Sequence, residues 1–270
     1  MNMKKYIALV LSAILLLSLL TACGSKKVNL KILDTEYTLE DYAICVAKEN
    51  TELLNKINTA LDALIKDGTA KKIVDKYISG VEHNLTFQQN TEGKAELVMA
   101  TNAYFPPYEY YEGGKIVGID AEMAAAIADK LDMKLVIKDI EFGAIIAGVQ
   151  TGKYHMGMAG MTVTETRLKE VNFSTSYATG VQVVIVAENS KITSVEELLD
   201  STKNYKVGVQ QDTTGDIYLS SPYEEGGVGE SNVIRYKTGN EAVQALLTGK
   251  VDAVVIDQEP AKSYVASNNK

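Results

Sequence analysis

The chain has 270 residues, 46% hydrophobic and 23% charged, with a formal net charge of -8. That composition describes a globular protein with enough chain for one large domain or two lobes, and its negative balance argues against nucleic acid or anionic lipid as a partner. Two cysteines and two histidines, with no Cys–His spacing, argue against a zinc site, so no metal and no cofactor is expected.

Residues 1–22 read as a targeting segment. Lys4 and Lys5 precede an apolar run over 7–20, and Leu20-Thr21-Ala22-Cys23-Gly24 sets small residues before a cysteine. This junction resembles a bacterial lipobox, in which Cys23 is diacylated and becomes the mature N-terminus. The alternatives are an ordinary secretory signal or a short membrane anchor, although the run is short for a span. Lipidation is the expectation, with residues 23–27 as a tether and the protein held on the extracytoplasmic face of the cell membrane. With Cys23 so used, Cys45 has no partner for an intramolecular disulfide and reads as a buried, inert thiol.

Residues 31–46 read as extended segments with a turn. Asn50 then caps a helix whose apolar face holds Leu53, Leu54, Ile57, Leu61, Leu64 and Ile65; Asp67-Gly68 stops it, and Thr69 starts a second, shorter helix. From Glu96 onward strand and helix patterns alternate. Strands are predicted over 96–101, 134–137, 156–159, 181–186, 206–209, 233–236 and 253–256. Helices are predicted over 121–131 (capped by Asp120), 142–149, 195–199, 214–219 and 241–248. This is α/β with largely parallel sheets.

The stretch Ala159-Gly160-Met161-Thr162-Val163-Thr164-Glu165-Thr166-Arg167 stands out. A buried strand ends in a turn, Thr164 is placed to cap a short helix, and Arg167 adds a planar fork of donors about one turn in. Free backbone N–H groups beside a guanidinium make an anion seat; a solvated surface arginine is the plainer alternative.

AGMTVTETRLKEVNFS, with TNAYFPPYEYYEGGKIVGIDAEM before it and GVQQDTTGD and DAVVIDQEPA after it, closely resembles the amino-acid-binding proteins of ABC importers, the polar amino-acid family of extracellular solute-binding proteins. The resemblance covers nearly all of the chain after the targeting segment. It implies a two-lobed periplasmic-binding-protein-like (type II) fold with two hinge strands, matched here to 42–46 and 181–186. It implies a binding protein rather than an enzyme: a monomer that captures an amino acid by closing a cleft and passes it to ABC permease subunits. An amino-acid-sensing receptor module and a cyclohexadienyl-dehydratase-like enzyme are the rival readings.

The order of the pieces departs from the family. ILDTEYTLEDYAICVAKENTELLNKINTALDALIKDGTAKKIVDKYI resembles the family's C-terminal end, yet it stands first. The implied arrangement is a circular permutation, with residues 43–80 and 96–182 as lobe one and 28–41 and 184–267 as lobe two. Residues 81–95 join the family's usual ends; this polar linker spans roughly 45 Å when extended at about 3.3 Å per residue. A chain that folds badly, or swaps the segment between protomers, is the alternative.

The resemblance also assigns roles. Arg167 would grip the ligand's α-carboxylate, helped by the Thr162 N–H and the Thr213-Thr214 turn. Asp257 would take the ammonium, completed by a carbonyl of Ala159 or Gly160 and the Thr162 hydroxyl; on its own, Asp257 reads equally as a helix cap. Side-chain recognition would fall to Asn102, Phe105, Tyr108, Phe142, Met161, Gln210 and Gln211. Neutral amides at Asn102 and Gln210 favour a neutral polar, glutamine-like ligand, although Glu109 offers a negative charge. Asp212 stands where the family has glycine, and its carboxylate would repel the ligand unless it points outward.

Overall fold

The computed structural model describes residues 27–270; the expected targeting segment and the lipidation site Cys23 lie outside the described residues. Two sheets carry the fold. In the first, β1 (Leu30–Ile32) and β2 (Thr38–Tyr42) both pair antiparallel with the long β11 (Ala178–Ala187). β11 runs antiparallel to β14 (Ala253–Asp257), which is followed by β12 (Val207–Gln210) and β13 (Val233–Tyr236) in parallel.

The second sheet has the order β10 (Val171–Phe173), β3 (Cys45–Ala47), β9 (Met156–Gly157), β4 (Glu96–Thr101) and β8 (Lys134–Asp139). β4 is parallel to both neighbours, whereas β3 is antiparallel to β9 and β10. The expectation of largely parallel sheets therefore needs correcting. Each sheet has a parallel centre built by helical crossovers, while the strands that pass between the sheets enter antiparallel. A three-stranded meander, β5 (Tyr104–Phe105), β6 (Glu109–Glu112) and β7 (Lys115–Val117), was absent from the predicted elements.

The chain crosses between the sheets twice, at residues 43–44 and 174–177. The two passages are bonded together: Ser174 N–H donates to Ile44 O at 2.9 Å, and Tyr177 N–H to Tyr42 O at 3.0 Å. The second passage lies ahead of the run 181–186 expected from the sequence, because 178–182 already pairs with β2.

Helix α1 (Thr51–Lys66) starts where its cap requires, with Asn50 Oδ1 accepting from Leu53 N–H at 3.2 Å. It buries Ile57, Ala60, Leu61 and Leu64 and gives way at Gly68, whose φ of +80° is cheap for glycine. Helix α2 (Thr69–Ile78) follows, and α3 (Ile119–Lys130) packs on both. The predicted cap of α3 is wrong. Ile119 N–H and Asp120 N–H are taken by the carbonyls of Pro107 and Tyr108, at 3.0 and 2.9 Å, so Asp120 lies inside the first turn, fully buried.

The remaining helices are α4 (Ile145–Gln150), α5 (Glu165–Glu170), α6 (Val195–Leu198), α7 (Thr214–Ser220), α8 (Gly239–Leu247) and α9 (Gln258–Asn268). Asn269 exchanges two hydrogen bonds with the backbone of Leu30, at 2.9 and 2.8 Å, so the last helix returns to β1.

The segment 81–95 is more than a tether. Leu85 and Phe87 pack against the core, and Gln88 docks on the exposed edge of the second sheet. Its side-chain amide accepts from Leu135 N–H at 2.5 Å and donates to Met133 O at 3.2 Å, imitating a strand residue beside β8. Its backbone N–H reaches the Asp129 carboxylate at 3.0 Å.

Candidate ligand-binding site

The two sheets face each other across a cleft holding about 330 Å³ of space. Its walls come from strand ends and the turns beyond them, where open α/β sheets place their ligands. β4 contributes Asn102, the meander Phe105 and Glu109, and the turn before α4 Phe142. The turn after β9 contributes Ala159, Gly160 and Thr162. From the other side come Gln210, Thr213, Thr214 and Asp257. Met161, singled out by sequence, is not in the wall: it is fully buried among Cys45, Ala100 and Ile145. Tyr108 also lies behind the wall, packed edge-on against Tyr42 and stacked on Phe105. Gln211 is exposed.

Arg167 sits where its helix puts it. Thr164 caps α5 by accepting from Arg167 N–H at 3.2 Å, and the guanidinium then turns into the cleft. It donates to Thr162 O at 2.8 Å and, across the cleft, to Asp212 O at 3.1 Å, lying 5.3 Å from the Phe142 ring centre. Only 7% exposed, it titrates below the ordinary arginine range because burial penalises its charge, yet a guanidinium keeps its proton. Its five N–H groups leave donors for a carboxylate.

Asp212 adopts φ +64°, with its N–H donated to Asp216 Oδ2 at 3.0 Å. Its own carboxylate is turned onto Gly143 across the cleft mouth, where a side chain on Gly143 would collide with it. It points outward, as the sequence requires if it is not to repel an anion.

Opposite lies a cluster of acids. Asp257 ends β14 at the N-cap position of α9, but its side chain makes no capping bond; it accepts from the Tyr42 hydroxyl instead. Burial first, and then the charge of Glu40, push its carboxyl up to about 7. Glu40 Oε2 accepts from Thr162 Oγ at 2.9 Å and from Gln182 Nε2 at 3.1 Å, while Oε1 has no partner among the described residues. Sequence reasoning missed Glu40, Tyr42 and Gln182. The signal was present in β2, where the apolar pattern is inverted: Leu39 is 73% exposed while Glu40 is 5% exposed.

The far end is closed by amides. Gln210 Nε2 donates to Asn102 Oδ1 at 3.0 Å, and Asn102 Nδ2 donates to Ile140 O at 2.8 Å. Lys237 pairs with Glu141 at 2.8 Å, and the Tyr264 hydroxyl meets Tyr104 O. The two bodies are thus closed on each other. A guanidinium with hydroxyls on one side and carboxylates on the other suits a small zwitterion.

The chain matches the family profile of "Bacterial extracellular solute-binding proteins, family 3" over residues 6–80 and 97–264. It is 33% identical to the "Arginine-binding extracellular protein ArtP" of Bacillus subtilis (strain 168), over 66% of this chain and 67% of that protein. Across the first curated relatives it spans 54–67% of their length. Among solved structures it is 38% identical to "An ancestral arginine-binding protein bound to arginine" (TM-score 0.60, covering 66% of this chain and 76% of that one). It is 39% identical to "An ancestral arginine-binding protein bound to glutamine" (TM-score 0.58, 65% and 75%). The match extends through both sheets and the turns that wall the cleft, and the chain belongs to the bacterial extracellular solute-binding proteins of family 3.

Proposed function

We propose that the protein captures a free amino acid in this cleft and delivers it to an ABC importer. One observation carries the reading: a single cavity sets Arg167, Thr162 and the Thr213–Thr214 helix start against Asp257. The α-carboxylate binds Arg167 and the ammonium binds Asp257, with Thr162 Oγ and the Ala159 or Gly160 carbonyl completing the cage. The Asn102 and Gln210 amides then meet the side chain, which favours a neutral polar ligand such as glutamine. Arginine is the second reading, favoured by Glu109 in the cavity wall and by the ligands in the relatives' names.

In the same reading, acyl chains on Cys23 hold the protein at the membrane, and the chain is a circularly permuted monomer closing in cis. The lobes follow the two sheets: 43–80 with 96–177 form lobe one and 28–42 with 178–267 form lobe two, the expected boundary at 182 moving back because 178–182 pairs with β2. Supporting the permutation is the bonding of Asn269 to Leu30, which brings the two ends of the described chain together.

The test is thermal melting of residues 24–270 against the standard amino acids, with the monomer mass measured alongside. A ligand at a hundred times its Kd adds about 2.7 kcal/mol. Glutamine is expected to raise the midpoint, and Arg167→Ala to abolish the rise. Response to no amino acid would reject the reading, and product formation from prephenate or arogenate would favour the enzyme.

A further inference from the structure

Glu40 stands behind the cavity wall rather than in it. It comes from the inward face of β2, two residues before Tyr42, whose hydroxyl holds Asp257. Its Oε2 accepts from Thr162 Oγ at 2.9 Å and from Gln182 Nε2 at 3.1 Å. The meeting with Thr162 is fixed by backbone: Val163 N–H donates to Asp41 O at 2.9 Å and Tyr42 bridges to Thr162, so β2 is tied to the turn after β9. Gln182 reaches Glu40 from β11, the neighbour of β2, and its Nε2 also meets Thr214 Oγ at 3.4 Å, at the start of α7. The Glu40 charge is the first that offsets the cost of burying the Arg167 guanidinium.

These contacts decide which way three dipoles point. A carboxylate only accepts, so the Thr162 hydroxyl directs its hydrogen at Glu40 and shows the cavity lone pairs alone. Gln182 turns its nitrogen toward Glu40, since the reverse orientation would set its carbonyl oxygen against the carboxylate. The second amide hydrogen then points at Thr214 Oγ, which accepts it and keeps its own hydrogen free to donate. Thr162 and Thr214 both line the cavity. One hydroxyl is thereby an acceptor, as an ammonium needs, and the other a donor, as a carboxylate needs. A hydroxyl can play either part, so without Glu40 both are free to rotate into the wrong one.

We propose that Glu40 is a positioning residue: without touching the ligand, it sets Thr162 to accept from the ammonium and, through Gln182, sets Thr214 to donate to the carboxylate. The inference rests on the amino-acid reading above. It adds the reason a zwitterion enters the cleft in one sense, its two charged groups not being interchangeable.

The experiment begins with NMR of ligand-free residues 24–270, labelled with carbon-13 and nitrogen-15. The Thr162 hydroxyl proton is expected to exchange slowly with water and to correlate with the Glu40 carboxyl carbon. A rapidly exchanging hydroxyl overturns the proposal even if no variant folds. Calorimetry with glutamine and with arginine follows. Glu40→Ala is expected to weaken whichever of them binds by about tenfold. Glu40→Gln, which keeps an oxygen for both donors, is expected to stay within about threefold of the wild type. Glu40→Gln as weak as Glu40→Ala overturns the proposal, because charge rather than hydroxyl orientation would then be the cause. Glu40→Ala combined with Thr162→Val is expected to bind at least about threefold tighter than the product of the two separate losses implies. Losses that multiply independently overturn it. If the wild-type protein binds neither amino acid, the amino-acid reading itself falls and takes the proposal with it, while the hydroxyl proton still reports whether Glu40 orients Thr162.

Discussion

At the scale of single residues, the cleft is a problem of charge. Arg167 is the buried cation of the wall, while Glu40, Glu109, Asp120 and Asp257 are all at least nine-tenths buried around it. A ligand ammonium supplies charge that the empty site lacks, and Asp257 senses it. Its carboxyl is raised to about 7 from an ordinary 3.8, so the empty folded protein holds a proton that the unfolded chain has released. That stabilising term is complete below about pH 4 and is lost as pH rises toward 7. An ammonium favours the ionised form, so binding expels the proton below pH 7. Affinity for a neutral amino acid is expected to rise by up to about tenfold per pH unit between pH 5 and 7 and then to level off. Titration calorimetry at four pH values checks this, and Asp257→Asn is expected to flatten the profile. Arg167 was legible because its cap, spacing and neighbouring glycine all agree. Glu40 was not: the strand alternates regularly, with Glu40 on the buried face of Tyr42, but a carboxylate at an inward position carries no local sign of the partners that Thr162 and Gln182 supply from far along the chain.

At the scale of elements, periodicity and caps carried the reading, and long-range backbone bonding limited it. Asn50 and Thr164 each accept the N–H that their position predicts, and β13 has its predicted bounds. Asp120 misled because the helix start it was assigned is capped by carbonyls from the meander, which no local pattern reveals. Gln88 was equally silent: one polar residue in a polar linker, distinguished only by what it meets in space. Its amide completes the edge of β8 and so also blunts a strand edge open to other chains. Gln88→Ala is expected to cost about 1–3 kcal/mol, since it leaves Leu135 N–H and Met133 O without their partner. Urea unfolding measures the loss, and amide exchange should accelerate first along β8.

At the scale of the molecule, the arrangement is that of two bodies whose contents are interleaved along the chain. If the order is a permutation, the connection between Lys270 and Val28 is a matter of ligation rather than of folding. A rewired chain that begins at Ala95, joins Lys270 to Val28 and ends at Gly80 is expected to bind the same amino acids within about threefold. Its affinity and melting point, beside those of the natural order, decide this; a chain that binds only as a dimer would point to exchange between protomers. The pairing of β2 with β11 has another consequence, in time rather than in space. Glu40 meets Gln182, 142 residues later, and Tyr42 meets Asp257, 215 residues later. A chain made from its N-terminus therefore presents β1 and β2 long before any strand exists to receive them. Closing such loops is entropically slow. The second sheet waits for β10 and the first for the strands beyond Phe173, so the chain stays pliable through most of its synthesis, the condition in which a polypeptide is threaded across a membrane.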